Sequence, residues 1–338
     1  MDDPASPFAV QKHVRRPWRK FLDDLTPLRP DLHRYCARLS GNIWDGEDLV
    51  QEALARVFAQ LGKLDPNLEE LEHPRAYLIR TATRIWIDSR RKHAREQEVL
   101  TMERHATEQR AKHDEARVGD PRRAPELREA AGELLGRLAP RERAAVLLKD
   151  VFDLSLEESA RILHTTTTAV KAALQRGRTR LDAEERSVRP AGPLPSKAIV
   201  ERFLSALSAK DLDTLKAICA DDLSVELVGG VELEGFERSR TFFEHAHMEL
   251  AIPGFPVKPR WELREYLGEW LVLGFRRVND AEGINEVHRL EESDGRISRV
   301  RCYCFCPDTL KVLGEHLGLP ALARMYRSPM PEDFAKQP

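Results

Sequence analysis

Basic side chains are concentrated in one stretch of the first half of the chain. Residues 75–95 contain seven Lys or Arg against the single acid Asp88, so pairing within the stretch cannot neutralise it. At helical spacing, several of these arginines share one face with an aromatic ring. Arginines bind phosphates and aromatic rings stack on unpaired bases, so this face predicts contact with single-stranded nucleic acid; a solvated basic face is the alternative. The face carries Tyr77, Arg80, Arg84, Arg91 and Arg95.

A second basic surface is predicted further along the chain. Ser155 to Glu158 match a capping box that opens a short helix ending at Leu163, and the turn 164–166 leads into a longer helix. This spacing is typical of a helix-turn-helix. Between Glu158 and Asp182 every charge is positive. Hydroxyl, amide and basic side chains suit the major groove of duplex DNA. The predicted outer face is Thr168, Lys171, Ala172, Gln175, Arg176 and Thr179, opposite Val170, Leu174, Gly177 and Leu181.

An acidic strip precedes both basic surfaces. Residues 45–48 place acids in the first turn of a predicted helix, whose apolar stripe is Leu49, Val50, Ala53, Leu54, Val57, Phe58 and Leu61. The opposite face carries Asp48, Gln51, Glu52 and Arg56. This face suits a basic partner helix; a solvated surface is the alternative.

The last part of the chain holds His245, His247, Glu286 and His288, but no nucleophile, metal set or carboxylate pair is specified by spacing. We therefore predict no catalytic residue, no metal and no cofactor. Three cysteines, Cys302, Cys304 and Cys306, alternate as if on one face of a strand. Packing as small buried side chains is favoured, while a thiol sensor or a soft-metal site stays open.

Length and composition set the frame for these surfaces. The 338 residues suit two or three domains, and 41% are hydrophobic without an apolar run of membrane length or a signal peptide. Five cysteines without CxxC spacing favour free thiols. We expect a cytoplasmic protein without membrane contact. Residues 1–196 hold 35 Lys and Arg against 32 Asp and Glu, so local clusters rather than net charge carry the argument.

Two linkers divide the chain. Residues 96–125 are highly charged and poor in large apolar side chains, and three prolines with a glycine interrupt residues 189–195. Helical periodicity dominates before the second linker. After it, two amphipathic helices at 197–218 precede alternating runs near 258–266, 269–277, 284–292 and 296–306, which predicts α+β structure.

The segments WDGEDLVQEALARVF and HPRAYLIRTATRIWIDSRRK resemble region 2 of extracytoplasmic-function (ECF) sigma factors. The segment from LGRLAPRERAAVLLKDVF to ALQRGRTRL is similar to region 4 of the same family. The resemblance implies two all-α sigma domains followed by an accessory α+β domain. The implied segments are an N-terminal extension 1–19, region 2 at 20–95, a charged linker 96–125, region 4 at 126–186, a Pro-rich linker 187–196, a SnoaL/NTF2-like cone 197–327 and a tail 328–338.

The resemblance also implies partners for each surface. In this family region 2 docks on the β′ clamp helices of core RNA polymerase and captures the melted minus-10 strand, while region 4 sits on the β flap and reads the minus-35 element. The polymerase-binding residues are then Asp45, Asp48, Leu49, Gln51 and Glu52. The minus-10 residues are Tyr77, Arg80, Arg84, Trp86, Arg90 and Arg91. The minus-35 residues are Thr166, Thr167, Thr168, Lys171, Gln175, Arg176 and Arg178.

The tail after region 4 is similar in layout to SnoaL-like (NTF2-like) domains, with a first strand near 223–229 and a helix at 236–249. We expect it to regulate the sigma regions, and a small-molecule ligand in its pocket and an anti-sigma factor are left open. Two rival classes remain: a helix-turn-helix regulator with a ligand-binding domain, and a polyketide-type cyclase with a DNA-binding appendage. The first rival leaves the acidic strip and the arginine face unexplained.

Overall fold

The structure is a computed structural model that describes residues 20–61, 73–107, 135, 138–182, 194–245, 260–278, 281–322 and 326. The chain separates into two compact units, Met1–Arg189 and Pro190–Pro338. The predicted linker 96–125 lies largely outside the described residues.

After a short helical stretch at 20–25, the N-terminal unit contains the helices α1 (Arg29–Ser40), α2 (Ile43–Leu61) and α3 (Pro74–Thr107). Gly41, at φ 104°, ends α1 in the left-handed region. Gly46 lets α2 cross α1 closely, because a Cβ there would lie 2.5 Å from Ala37 Cα. The apolar stripe predicted on α2 is confirmed as core at Leu49, Val50, Ala53, Leu54 and Val57.

Helix α3 begins at Pro74, which agrees with the preference of proline for the first helical turn. Helical spacing in the sequence predicts Leu78, Ala82, Ile85 and Ser89 on the core side of this helix, and the first three are buried. Ser89 was predicted on that side but is exposed. Residues 91–95 are exposed too, so by Ser89 the helix has passed the elements that cover its apolar side.

The helix-turn-helix region follows in the same unit. It consists of α4 (Pro140–Val146), which continues as a π-helical turn Leu147–Val151, then α5 (Leu156–Ile162) and α6 (Thr167–Asp182). The predicted capping box is confirmed: Glu158 N–H donates to Ser155 Oγ at 3.1 Å, and Ser155 N–H donates to Glu158 Oε2 at 2.8 Å. These bonds lower the pKa of Glu158.

The C-terminal unit has the α+β layout implied by the SnoaL-like resemblance. Its elements are α7 (Lys197–Ala209), α8 (Leu212–Ile218), β1 (Cys219–Leu227), β2 (Glu232–Glu234), α9 (Phe236–His245), β3 (Arg260–Tyr266), β4 (Glu269–Val278), β5 (Ala281–Ser293), β6 (Arg296–Cys302) and α10 (Pro307–Leu317). The strands form one sheet in the order β2-β1-β6-β5-β4-β3, in which only the β1–β6 pair is parallel.

The last strand is shorter than the sequence pattern predicts. The pattern predicts a strand over 296–306, but β6 ends at Cys302 and Cys306 is the N-cap of α10. Pro307 occupies the first turn of that helix, so the chain leaves the sheet between Cys302 and Cys306. The three cysteines therefore do not share one strand face, and α10 and β2 went unpredicted.

Among the described helices, none combines the length and the apolar character that crossing a bilayer requires.

Candidate nucleic-acid and polymerase interfaces

The basic face of α3 is open to solvent at its centre. Arg84 is 72% exposed, and its Nε lies 3.8 Å from Asp88; Arg91 lies 3.7 Å from the same carboxylate. One acid is thus shared by two arginines and leaves net positive charge on this face. Arg75, at the start of α3, is instead paired with Asp31 at 2.9 Å.

The N-terminal end of α3 forms a cleft with α2. The Arg80 guanidinium lies 5.0 Å from the centre of the Tyr77 ring, and the Tyr77 hydroxyl donates to Gln60 Oε1. The cleft has a volume of about 370 Å³. Its walls carry Arg56, Gln60, Tyr77, Arg80, Thr81, Arg84, Asp88 and His164. Cationic side chains around a half-buried aromatic ring are the groups that hold a phosphate and a stacked base.

Trp86 does not lie on this open face. It is 8% exposed, and the Arg143 guanidinium from α4 lies 5.6 Å from the centre of its ring. Arg143 also donates to the Arg38 carbonyl oxygen at 2.8 Å. Trp86 was predicted to contact the minus-10 strand, but in this conformation it packs beneath α4. Arg90 is half-buried.

The outer face of α6 matches the predicted reading surface. Thr166, Thr168, Lys171, Gln175, Arg176, Arg178 and Thr179 are exposed, and Thr167 is half-buried. Thr166 Oγ1 accepts the N–H of Ala169 at 3.2 Å, so its hydroxyl caps the helix. The predicted inner residues Val170, Leu174 and Gly177 are buried.

Acids of the same domain form hydrogen-bonded ion pairs with the arginines of α6. Glu142, almost fully buried, accepts bonds from Arg176 at 2.9 Å and Arg180 at 2.6 Å. Asp150 accepts two bonds from Arg178, at 3.0 and 2.5 Å, and this contact raises the pKa of Arg178. Sequence reasoning missed both acids. Among the described residues, no side-chain bond engages Lys171 or the Gln175 amide.

The predicted polymerase surface lies on α2. Asp45 and Glu52 are exposed, and Asp48 and Gln51 are half-buried. Leu49 was predicted on this surface too, but it is only 6% exposed and belongs to the core, because its position on α2 points toward the apolar stripe.

An acid on α2 that sequence reasoning did not single out is fully buried. Glu47 accepts a bond from Arg29 at 2.5 Å and lies 3.6 Å from His33 Nε2. It also accepts a bond from the Gln51 amide at 2.6 Å. The buried Glu47–Arg29 pair thereby fixes the side chain of Gln51, which belongs to the predicted polymerase surface.

A polar cluster lies within the C-terminal unit. Glu286 and His288, both weighed from the sequence, are buried side by side on β5, and His288 pairs with Cys302 of β6. Burial acts to raise the pKa of Glu286, but the bonds and charges of His288 and Arg276 outweigh it and lower that pKa. His247 and the side chain of His245 lie outside the described residues.

Comparisons with known proteins agree with the N-terminal assignment. The family described as "Sigma-70 region 2" matches residues 25–96, and "Sigma-70, region 4" matches residues 128–181. The ECF RNA polymerase sigma factor SigJ of Mycobacterium tuberculosis is 29% identical over 207 residues, which cover 60% of this chain and 63% of SigJ. The match thus spans less than two thirds of that relative.

The probable ECF RNA polymerase sigma factor SigI of the same species is 27% identical over 293 residues, covering 83% of this chain and 91% of SigI. The crystal structure of SigJ aligns with 20% identity over 83% of this chain and 95% of that chain, at a TM-score of 0.32. Both sigma-70 regions occur in the expected order in a chain whose curated relatives are ECF factors. The chain therefore matches sigma-70 regions 2 and 4 at residues 25–96 and 128–181, and it is similar to ECF sigma factors.

Proposed function

We propose that this protein binds core RNA polymerase, recognises minus-35 and minus-10 promoter elements and promotes transcription initiation. The observation that carries the proposal is the presence of two separate cationic helical faces in one chain, on α3 and on α6. A two-part reader needs only moderate affinity at each part, because linkage raises the effective concentration for the second contact. The chain contributes binding, and the polymerase carries out the chemistry.

The face of α3 takes the single-stranded minus-10 element in this proposal. Arg80 and Arg84 line the cleft beside Tyr77, so phosphates and an unstacked base find complementary groups within one site. Promoter opening is then favoured because the unpaired strand is held as it forms.

Helix α6 takes the minus-35 duplex. Thr168, Lys171 and Gln175 are exposed along one side of the helix. Gln175 can form paired hydrogen bonds with an adenine edge, and Lys171 can reach a phosphate. Arg176 and Arg178 serve phosphate contact only after exchanging Glu142 and Asp150 for the DNA backbone.

The exposed acids of α2, Asp45 and Glu52, with Asp48 and Gln51 beside them, dock on the β′ clamp helices. Charge complementarity of this kind steers association and sets register more than it adds affinity.

The C-terminal domain regulates the sigma regions by altering their affinity for polymerase or promoter. The proline-rich joint at 187–196 supports this role, because it links the domain to region 4 within one chain and so raises the effective concentration of each for the other. A ligand of the domain would act by changing that affinity, provided that it binds one state of the protein more tightly than the other. Deleting residues 197–338 is expected to change promoter-specific transcription, and unchanged activity at every protein concentration would reject this role.

Run-off transcription tests the main proposal. Sigma-free core polymerase is mixed with the full-length protein and genomic fragments, and transcripts with defined start sites are expected. A helix-turn-helix repressor would bind fragments without supporting initiation. Failure both to join core polymerase and to direct any start site would overturn the proposal.

A further inference from the structure

The polar cluster inside the C-terminal unit combines three kinds of metal-binding atom. Glu286, His288 and Cys302 each offer a ligand atom, and these atoms all lie within 4.8 Å of one another. All three residues are buried, so they are held by the fold. Carboxylate oxygen, imidazole nitrogen and thiolate sulfur together form a donor set that suits Zn²⁺.

Strand pairing explains why these side chains converge. His288 lies opposite Cys302 across the β5–β6 ladder, and Glu286 precedes His288 by two residues on the same face. Gly274 lies opposite Glu286 on β4, where a Cβ would come within 2.6 Å of Glu286 Cγ. The absence of a side chain at Gly274 leaves room for the carboxylate.

The distances fit one ion. Glu286 Oε2 lies 3.4 Å from His288 Nε2 and 3.8 Å from Cys302 Sγ. A tetrahedral Zn²⁺ with bonds of about 2.0 Å to N or O and about 2.3 Å to S separates N from O by about 3.3 Å and N or O from S by about 3.5 Å. The other carboxylate oxygen, Oε1, faces Arg276 at 3.5 Å, so Oε2 is turned toward the other two donors.

Some buried polar atoms at this cluster have no hydrogen-bond partner among the described residues. They include His288 Nδ1 and Arg276 Nε. Buried polar atoms without partners are costly and are rare away from functional sites. Rings of Trp261, Phe242 and Phe203 surround His288 at 5.0 to 6.1 Å, and such an apolar shell strengthens ionic bonds inside it.

We propose that Glu286, His288 and Cys302 form a binding site for a thiophilic divalent cation of the Zn²⁺ type within the C-terminal domain. The ion would join β5 to the end of β6, so its binding stabilises the sheet at the point where the chain turns into α10.

Metal binding to the reduced, metal-stripped full-length protein tests this site. Zn²⁺ is titrated in competition with a chromogenic chelator, and Co²⁺ is used as a spectroscopic probe of thiolate ligation. We expect one Zn²⁺ per chain and a Co²⁺–thiolate charge-transfer band. Cys302→Ala should abolish the band, and Cys302→Ala and His288→Gln should each weaken Zn²⁺ binding by at least about tenfold.

Cys219→Ala is the matched control, because Cys219 is a buried cysteine of the same domain outside the cluster. Glu286→Gln preserves side-chain shape and removes the charge, so it tests the site even if the smaller variants fail to fold. It is expected to weaken Zn²⁺ binding while Cys219→Ala leaves it unchanged. Absence of the charge-transfer band, or equal Zn²⁺ affinity in the unaltered protein and the folded cluster variants, would overturn the proposal.

Discussion

Helices α3 and α6 both present basic faces, but their charges are held differently. On α3, Arg84 and Arg91 share the exposed Asp88 at distances of 3.7 to 3.8 Å, which are long for direct hydrogen bonds. On α6, Arg176, Arg178 and Arg180 make close bonds to Glu142 and Asp150 of the same domain. The charge of Arg84 and Arg91 on α3 is therefore available to a ligand, whereas, among the described residues, the three arginines of α6 are already bonded to acids and Lys171 is not.

The difference separates two ways of contacting DNA. A strand that leaves the duplex exposes phosphates and base faces, and a surface of open charge beside an aromatic ring accepts it without reading sequence closely. A duplex is read by side chains that reach base edges, and surplus charge would favour every sequence equally. Neutralised arginines on α6 leave Gln175 and the threonines to provide discrimination.

The largest expected effect comes from removing an arginine of the basic face of α3. Arg84→Ala should lower the rate of promoter opening by at least about tenfold, because it removes a cation beside Tyr77, where base stacking on the ring is worth about 1–3 kcal/mol. Core binding should be nearly unchanged. Arg34→Ala is the control, because Arg34 is an exposed arginine of α1. Equal losses of opening and of core binding in Arg84→Ala would break the assignment of this face.

On α6 the comparison predicts that an uncharged residue matters more than a charged one. Gln175→Ala should weaken minus-35 binding about tenfold at one base position, consistent with about 1–3 kcal/mol per base contact. Arg178→Ala should weaken minus-35 binding by a smaller factor, because Asp150 already binds this guanidinium. The loss should be the same for all base sequences, since a phosphate contact does not read the bases. Binding of holoenzyme to duplexes with single base changes measures both, and a larger, base-specific loss in Arg178→Ala would contradict the account.

Removing the acid that pairs with Arg176 and Arg180 should leave their charge available to DNA, as the charge of α3 already is. Glu142→Gln removes the charge that binds Arg176 and Arg180, so the salt dependence of DNA affinity should steepen by about one to two phosphate contacts. The free energy of unfolding should fall by about 1–3 kcal/mol, because a buried hydrogen-bonding centre is weakened. The exposed Glu157→Gln is the control, and an unaltered salt slope in Glu142→Gln would count against the comparison.

The acidic surface of α2 should show a smaller effect. Asp48→Ala or Glu52→Ala is expected to weaken core polymerase binding by about two- to fivefold, because charges at the edge of an interface contribute little. Promoter opening by preformed holoenzyme should not change. Asp24→Ala, an exposed acid elsewhere in the same region, serves as control. A defect in opening alone would assign these acids to DNA positioning instead.

The smallest effect concerns the helix that supports α6. Ser155→Ala should reduce the free energy of unfolding by about 1 kcal/mol through loss of the cap. The folded pKa of Glu158 is lowered, so its contribution is present above the unfolded pKa of about 4.3 and is lost as pH falls through the folded value. Denaturant unfolding should show the difference between the two proteins shrinking below about pH 4. A difference that does not change with pH would contradict the role of Glu158.

Local periodicity accounts for what the sequence could predict. The faces of α3 and α6 follow from a helical repeat, and the capping box at Ser155 involves neighbours along the chain. The pairs of Glu142 with Arg176 and Arg180 join residues 34 and 38 positions apart, which depends on how α4 packs on α6. Leu49 shows a further limit, since its type fitted two assignments and only packing decided between them.

The C-terminal unit shows the same limit in a sheet. Glu286 and His288 could be named from the sequence, but their contact with Cys302 depends on the register of β5 against β6. Alternation alone put Cys302, Cys304 and Cys306 on one face, because it took no account of the helix that Pro307 begins. Register and strand ends are set by tertiary packing more than by local pattern.

Permanganate reactivity of unpaired thymines at a mapped start site tests the division of labour most directly. Holoenzyme carrying Arg84→Ala should still protect the minus-35 duplex while showing at least about a tenfold loss of thymine reactivity. Holoenzyme carrying Gln175→Ala should lose minus-35 protection, and the two defects should be separable. If Arg84→Ala removed minus-35 protection while Gln175→Ala removed only thymine reactivity, the assignment of α3 to the single strand and of α6 to the duplex would be contradicted.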